Sequence, residues 1–205
     1  MRLRAFRRPA GPGSQSHPLR LAAGMASLLI LVLPLGCGSD EEGGGDVIRH
    51  PQDFLVNDVA GWEMTPGTLE TALTIDELRD AAVNGSYIAD AVELHNFREW
   101  AGAGYLGNLG GGEARVTLWI FEQQSPTDAL ALYNDSESGI APPTSESPDQ
   151  EIGDEARIYV SGLNATTLDF VRGTRWVYIL IDRASDDAEQ VLQLFAASVD
   201  QKMTP

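Results

Sequence analysis

The chain has 205 residues, of which 14 are basic and 30 acidic, for a formal charge of −16 at pH 7. Nucleic-acid binding rests on basic charge against phosphate, so this balance argues against it, and equally against direct docking on anionic lipid headgroups. Cys37 is the only cysteine, which rules out an intramolecular disulfide.

Residues 1–36 read as an export signal. Arg2, Arg4, Arg7, Arg8 and Arg20 form a basic segment without an acid, and an apolar run from Leu21 to Leu35 follows. That run falls short of the roughly 20 apolar residues of a membrane-spanning helix, and its flanks are those of a cleaved signal. Arg7-Arg8, between Phe6 and Pro9, fits a twin-arginine signal poorly.

Leu33-Pro34-Leu35-Gly36-Cys37 resembles the lipobox of bacterial lipoproteins, an aliphatic residue and two mostly small ones before cysteine. Pro34 departs from the pattern, at a position usually held by Leu. The resemblance implies cleavage before Cys37, a thioether lipid on Cys37 and acylation of the new amino terminus. The membrane would then be a partner reached through lipid, and two or more acyl chains anchor stably. The competing reading is an ordinary secretory signal with an incidental cysteine, but lipidation accounts for a lone thiol in an exported protein. Gly38 and Ser39 stand where an inner-membrane retention signal places Asp, which favours the outer membrane in a cell with two.

Residues 37–50 then form a flexible acidic tether, with Gly38-Ser39-Asp40-Glu41-Glu42-Gly43-Gly44-Gly45-Asp46 at its centre. Beyond the signal, nine basic residues face thirty acids, a charge of −21, and Lys202 is the only lysine. An acidic surface of this kind keeps a protein soluble, with a cationic partner or adaptation to salt as the alternatives. Residues 51–205 have the size of a single domain with its own hydrophobic core.

Within that domain, Val59 to Gly67 reads as extended chain with a turn. Thr74-Ile75-Asp76-Glu77 matches a capping box and opens a helix through Leu78, Ala81 and Ala82, which Asn84-Gly85 ends or interrupts. A second helix is predicted from Tyr87 to about Trp100, with Ile88, Ala91, Val92 and His95 along one side. The glycine-rich stretch 102–112 reads as a loop. Glu113 to Glu122 alternates as a strand that is apolar on both faces and hence central. Ser125-Pro126-Thr127-Asp128 starts a helix carrying Ala129, Leu130, Leu132 and Tyr133. Residues 135–150, with Pro142, Pro143 and Pro148, read as a mobile loop. Strands follow at 156–160, 166–172 and 175–181, turning at Gly162-Leu163-Asn164 and Gly173-Thr174, and connections this short require antiparallel neighbours. Ser185 caps a last helix, with Ala188, Val191, Leu192, Phe195 and Val199 on one face. The expected fold is α+β, a mainly antiparallel sheet with helices packed on one face.

Val116–Phe121, Ser125–Ala129, Ile152–Ala156, Phe170–Gly173 and the terminal amphipathic helix carry a second resemblance. From Arg115 to Met203 the chain resembles a recurrent pattern in secreted bacterial lipoproteins and extracellular sensor-like domains of unknown activity. Asn84-Gly85-Ser86-Tyr87 resembles an Asn-Gly motif of one such uncharacterised family. The resemblance covers about half the chain and implies a fold and an extracytoplasmic setting, but no catalytic residue.

No reaction centre is legible. The cluster Gly104, Gly107, Gly110, Gly111 and Gly112 leads into a strand, whereas a phosphate loop needs a helix behind it or a closing Lys-Ser/Thr. His50 and His95 lack zinc-ligand spacing and partner thiolates. Asp149, Glu151, Asp154 and Glu155 do not follow calcium-loop spacing and read as a solvated turn. There is no Gly-x-Ser-x-Gly elbow, and carboxylate pairs carry no weight in a chain with thirty acids. No catalytic, cofactor or metal residue is therefore assigned. The four tryptophans, with Tyr87, Tyr105 and Tyr178, are the candidates for a ligand groove. Trp119 and Trp176 lie on predicted strands and belong in the core, which leaves Trp100 and Tyr105 as candidate exposed contacts beside the glycine loop. The chain reads as an envelope-anchored, non-catalytic binding or accessory module for an unknown protein or small ligand. The alternatives are a hydrolase with an unrecognised site and a structural or surface-display lipoprotein. An enclosed polar pair with perturbed pKa values would favour the enzyme, a shallow groove the binding module.

Overall fold

The structure is a computed structural model that describes residues 48–81, 86–161 and 164–204. The signal, Cys37, the tether before residue 48, Asn84-Gly85 and Gly162-Leu163 lie outside the described residues.

The chain enters through a 3-10 turn, Pro51–Phe54, and then forms β1 (Trp62–Met64), β2 (Glu70–Ala72), α1 (Ile75–Asp80) and α2 (Ser86–Leu94). A long hairpin follows, β3 (Phe97–Leu109) and β4 (Gly112–Gln123), then α3 (Pro126–Tyr133), β5 (Glu155–Ser161), β6 (Ala165–Arg172), β7 (Arg175–Ile181) and α4 (Asp186–Met203). The seven strands make one antiparallel sheet in the order β1-β3-β4-β7-β6-β5, with β2 beside β1 along the outer edge of β3. The protein is α+β, as its sequence implies.

The helix starts follow the predicted chemistry. The Thr74 side chain accepts from Glu77 N, and Glu77 reaches back to Thr74 N. Ser125 accepts from Asp128 N, with Pro126 opening α3, and Ser185 accepts from Ala188 N. The β6–β7 turn falls at Gly173-Thr174, where Gly173 takes φ +58°. No helix among the described residues is long and apolar enough to cross a membrane.

Two parts of the expectation change. The second helix stops at Leu94, Asn96 reverses the chain at φ +58°, and residues 97–109 form the longest strand of the sheet instead of a helix end and a loop. Only Gly110 and Gly111, both at positive φ, make the hairpin tip. The glycines inside β3 serve bulky neighbours: a Cβ on Gly107 would lie 2.5 Å from the Trp62 ring, and one on Gly102 would lie 2.4 Å from Trp100 and 2.7 Å from Trp119. Glycine in a strand marks such close approach.

The second change is the placement of the helices. α4 lays Leu192, Phe195, Ala196 and Val199 on the face formed by Leu118, Ile120, Leu168, Phe170, Val177 and Ile179. The short helices contribute Leu78, Ile88, Val92 and Leu132 to a second core on the opposite face, with Trp100, Phe121 and Trp176. The helices therefore occupy both faces. The cause lies in β4, whose alternate residues are apolar on each side, so each face must be covered. On the second face the cover is incomplete. It spans the sheet row Trp100–Phe121–Trp176–Val171, while Thr117, Trp119, Tyr178, Leu180 and Tyr159 stay partly exposed.

Residues 135–146 have no regular structure, as expected of the proline-rich segment, but they are tied down. The Asp135 carboxylate accepts from Glu137 N and Ser138 N, Ile140 is buried, and Glu146 exchanges two backbone hydrogen bonds with Ile158 at the free edge of β5. The segment is a strap across the second face.

Candidate functional site

Antiparallel pairing sets one row of residues across the sheet: Gly102, Trp119, Tyr178, Asp169 and Arg157, on β3, β4, β7, β6 and β5 in turn. Asp169 sits between Leu168 and Phe170 in the buried strand β6 and is itself fully buried. Its carboxylate accepts from Arg157 Nε at 2.8 Å, from Arg157 Nη2 at 2.7 Å and from Trp176 Nε1 at 3.0 Å. The Arg157 guanidinium lies 3.9 Å from the centre of the Tyr133 ring, and Nη2 also donates to the Ile140 carbonyl of the strap. Burial pushes the Asp169 carboxyl up, and the guanidinium and indole N–H pull against it. Both carboxylate oxygens are taken by donors and neither reaches solvent. The pair fixes three strands, one indole and the strap; it presents no acid or base to a substrate.

A cleft of about 350 Å³ lies over the neighbouring part of the sheet. Tyr159 of β5 and Trp176 and Tyr178 of β7 form its floor. Tyr87 and Ile88 of α2 stand on one side, and the strap, through Ile140, Pro142, Pro143 and Thr144, on the other. Burial pushes the Tyr178 phenol up to about 12, and burial together with the Asp169 charge pushes Tyr159 up further. The Tyr87 hydroxyl is near enough to add to both shifts. The Tyr159 and Tyr178 phenols are therefore neutral at physiological pH and offer hydrogen-bond donors and acceptors alike. Among the described residues, no Asp, Glu, Lys, Arg or His lines the cleft.

The Tyr178 ring stacks on Trp119 with centroids 5.4 Å apart and planes 21° from parallel. Beyond Trp119 lies a second hollow, lined by Thr68, Trp100, Gly102, Gly104 and Thr117. The stacked pair is the wall between the two.

The residues singled out in the sequence are not brought together. Trp100 and Tyr105 are 1% and 2% exposed, so neither is the exposed contact expected of it. They point to opposite faces of β3: Trp100 packs near Phe121, and Tyr105 meets Phe195 of α4 edge-on. The expectation failed because 102–109 is strand, which turns its aromatic neighbours inward. Trp119, assigned to the core, is the partly exposed indole instead. Trp176 is buried as expected. His50 Nδ1 lies 2.9 Å from Glu99 and His95 Nε2 3.0 Å from Asp135, two separate contacts far from any common ligand. Asp154 holds Arg172 and Gly173 N. Among the described residues no three His, Cys, Asp or Glu side chains gather as a metal site. Sequence reasoning missed Tyr159, the strap and the Arg157–Asp169 pair. An arginine and an aspartate inside adjacent apolar strands were the available signal.

Compared with protein-family models, with curated proteins and with solved structures, the chain finds no match in any of the three.

Proposed function

We propose that this chain is an exported lipoprotein, cut before Cys37 and anchored by lipid to the cell envelope, in the outer membrane where there are two. Its globular domain is a binding module that holds a small ligand in the tyrosine cleft without transforming it. The anchor rests on the basic segment, the short apolar run and the lipobox-like residues Leu33–Cys37. The observation that carries the binding reading is the separation of charge from cavity. The Arg157–Asp169 pair is buried beside the cleft, with its carboxylate oxygens taken, and among the described residues the cleft itself is lined by phenols, hydroxyls and apolar groups. A hydrolase that works through a serine or threonine nucleophile needs a base in reach of it. Among the described residues, no carboxylate or imidazole lines the cleft beside Thr144 or Ser161.

Two measurements test the two halves. Cells given a labelled fatty acid should mark the wild type and not Cys37→Ser, and the variant should leave the membrane fraction or remain uncut. A variant that is correctly processed and still in the membrane fraction refutes the anchor. For the domain, a small-molecule screen by thermal shift should yield ligands whose effect disappears in Tyr87→Ala. Ligands that act equally on both proteins, or turnover of a chromogenic ester or glycoside that Tyr87→Ala abolishes, would overturn the non-catalytic cleft.

A further inference from the structure

The lining of the cleft specifies the chemistry of what it holds. Resting on the reading of the cleft as a binding site, we propose that its ligand is a neutral, polyhydroxylated ring compound, a mono- or disaccharide unit.

Charge decides first. The chain has 30 acidic residues among 205, yet those described around the cleft include none, and no basic residue either. An anionic ligand would enter against a strongly negative protein and meet no counter-charge inside. A cation would be drawn to the surface and then lose its hydration without a carboxylate to pair with, which is costly in a partly dry site. Tyr159 and Tyr178 cannot supply that charge, because their phenols stay protonated. A neutral ligand suffers neither penalty.

Hydroxyls decide next. Tyr87, Tyr159, Tyr178, Thr144 and Ser161 bring five hydroxyl-bearing side chains to the lining of one small cavity, the Ser161 hydroxyl already donating to the Ala165 carbonyl. Each donates one hydrogen bond and accepts others. A hydrocarbon filling the cleft would strip water from the free hydroxyls and leave them unpaired, which disfavours it. A ligand that carries many hydroxyls of its own matches them, because it too donates and accepts at every position. Most of the remaining lining, Ile88, Ile140, Val160 and the two prolines with the buried edge of Trp176, is apolar and suits the C–H groups of a sugar ring. At about 350 Å³ the cleft is at the small end of the range of roughly 300–1,000 Å³ for ligand cavities, which suits one or two rings and not a long polymer.

The walls are also held before any ligand arrives. The Trp176 indole is fixed by Asp169, Tyr178 leans on Trp119, and the strap is pinned at Asp135, Ile140 and Glu146. Weak hydroxyl contacts need such preorganisation to yield measurable affinity.

The test uses the full chain, purified in a detergent without a sugar headgroup. Tryptophan fluorescence and thermal shift are followed against methyl glycosides of glucose, galactose, mannose and N-acetylglucosamine, and against maltose and cellobiose. Glucuronate and glucosamine are the charged counterparts, cyclohexanol and phenol the apolar ones. At least one neutral glycoside should produce a saturable change that no charged or apolar counterpart matches. Tyr178→Phe and Tyr159→Phe, which keep the ring and lose the hydroxyl, should each weaken it roughly five- to tenfold. Tyr105→Phe, on the opposite face, should leave it unchanged. If a charged or apolar probe binds best and the same two variants weaken it, the ligand class is wrong and the cleft stands. If no probe acts, or the variants are without effect, the ligand class falls, and an empty thermal-shift screen on the same protein would take the cleft with it.

Discussion

Gly102 lies opposite Trp119 in the β3–β4 ladder, and the indole occupies the space that a side chain at 102 would fill. Trp100, two residues earlier on the same face, closes in from the other direction. The glycine therefore leaves room for both rings, and with them the wall between the two hollows.

Gly102→Val should consequently act as overpacking. It forces two large rings from their positions and should lower stability by about 1–3 kcal/mol. Gly104→Ala is the matched control, since its new methyl would sit 3.5 Å from Thr68, an ordinary contact. Urea denaturation of the two variants checks this. Equal midpoints would mean that Trp119 and Trp100 move aside freely.

Asp169→Asn should be more damaging. It leaves the Arg157 charge buried without its partner, and breaking such a pair from one side costs about 3–5 kcal/mol. It also loosens Trp176, whose emission should shift to the red. Replacing both partners by apolar residues, Arg157→Met with Asp169→Leu, should recover much of the loss. Denaturant melts followed by tryptophan fluorescence read both effects, and a loss for Asp169→Asn below about 1 kcal/mol would place the pair in water, not in the core.

A pH dependence should appear at His50. Its hydrogen bond to Glu99 and the Glu99 charge raise its pKa above 6.5. The folded value exceeds the unfolded one, so the contact contributes fully below pH 6.5 and is lost as pH rises through the folded value. The segment it secures also holds Arg49 against the Lys202 carbonyl and Phe54 between Arg49 and Arg175. NMR titration should show His50 ionising above pH 6.5. Amide exchange at Asp53 and Leu55, corrected for intrinsic rate, should quicken above that transition, and His50→Gln should remove the step. A His50 pKa at or below 6.5 contradicts the contact.

Gly173→Val tests the tight turn between β6 and β7. A Cβ there meets nothing within 4 Å, so sterics with neighbours are not at issue and only the φ of +58° matters. A β-branched residue in the left-handed region costs on the order of 1–3 kcal/mol. Both strands belong to the core, so the loss should appear in the global thermal midpoint, and an unchanged midpoint would count against the turn.

The sheet from β5 to β7 was readable because short strand-like runs are separated by brief turns that carry Gly and Asn. The amphipathic α4 and the caps at Thr74, Ser125 and Ser185 were readable for equally local reasons. β3 was not. Gly102, Gly104 and Gly107 look like chain breakers until their partners across the sheet are known, although Ala101, Ala103 and Tyr105 do keep a period of two. β1 and β2 have three residues each and exist only by pairing with β3. The cleft was half visible. Tyr87 and Tyr178 stood out as aromatics that line a groove, but Tyr159 joins them only through the β5–β6–β7 register. The strap that completes the walls is shaped by the Asp135 turn and the Glu146 bridge, contacts without a periodic signature.

The contact between Arg49 and the Lys202 carbonyl brings the two extremities of the domain side by side, 153 residues apart in sequence. A domain with adjoining ends can be set into a loop of another protein without stretching either host or guest. It can also be rewired: joining the ends through a short linker and opening the chain at the exposed Gly110-Gly111 tip would change the connectivity and leave every strand pair in place. In such a permuted molecule β4 would come first and β3 last, so the longest pair of the sheet would form between the two ends of the chain.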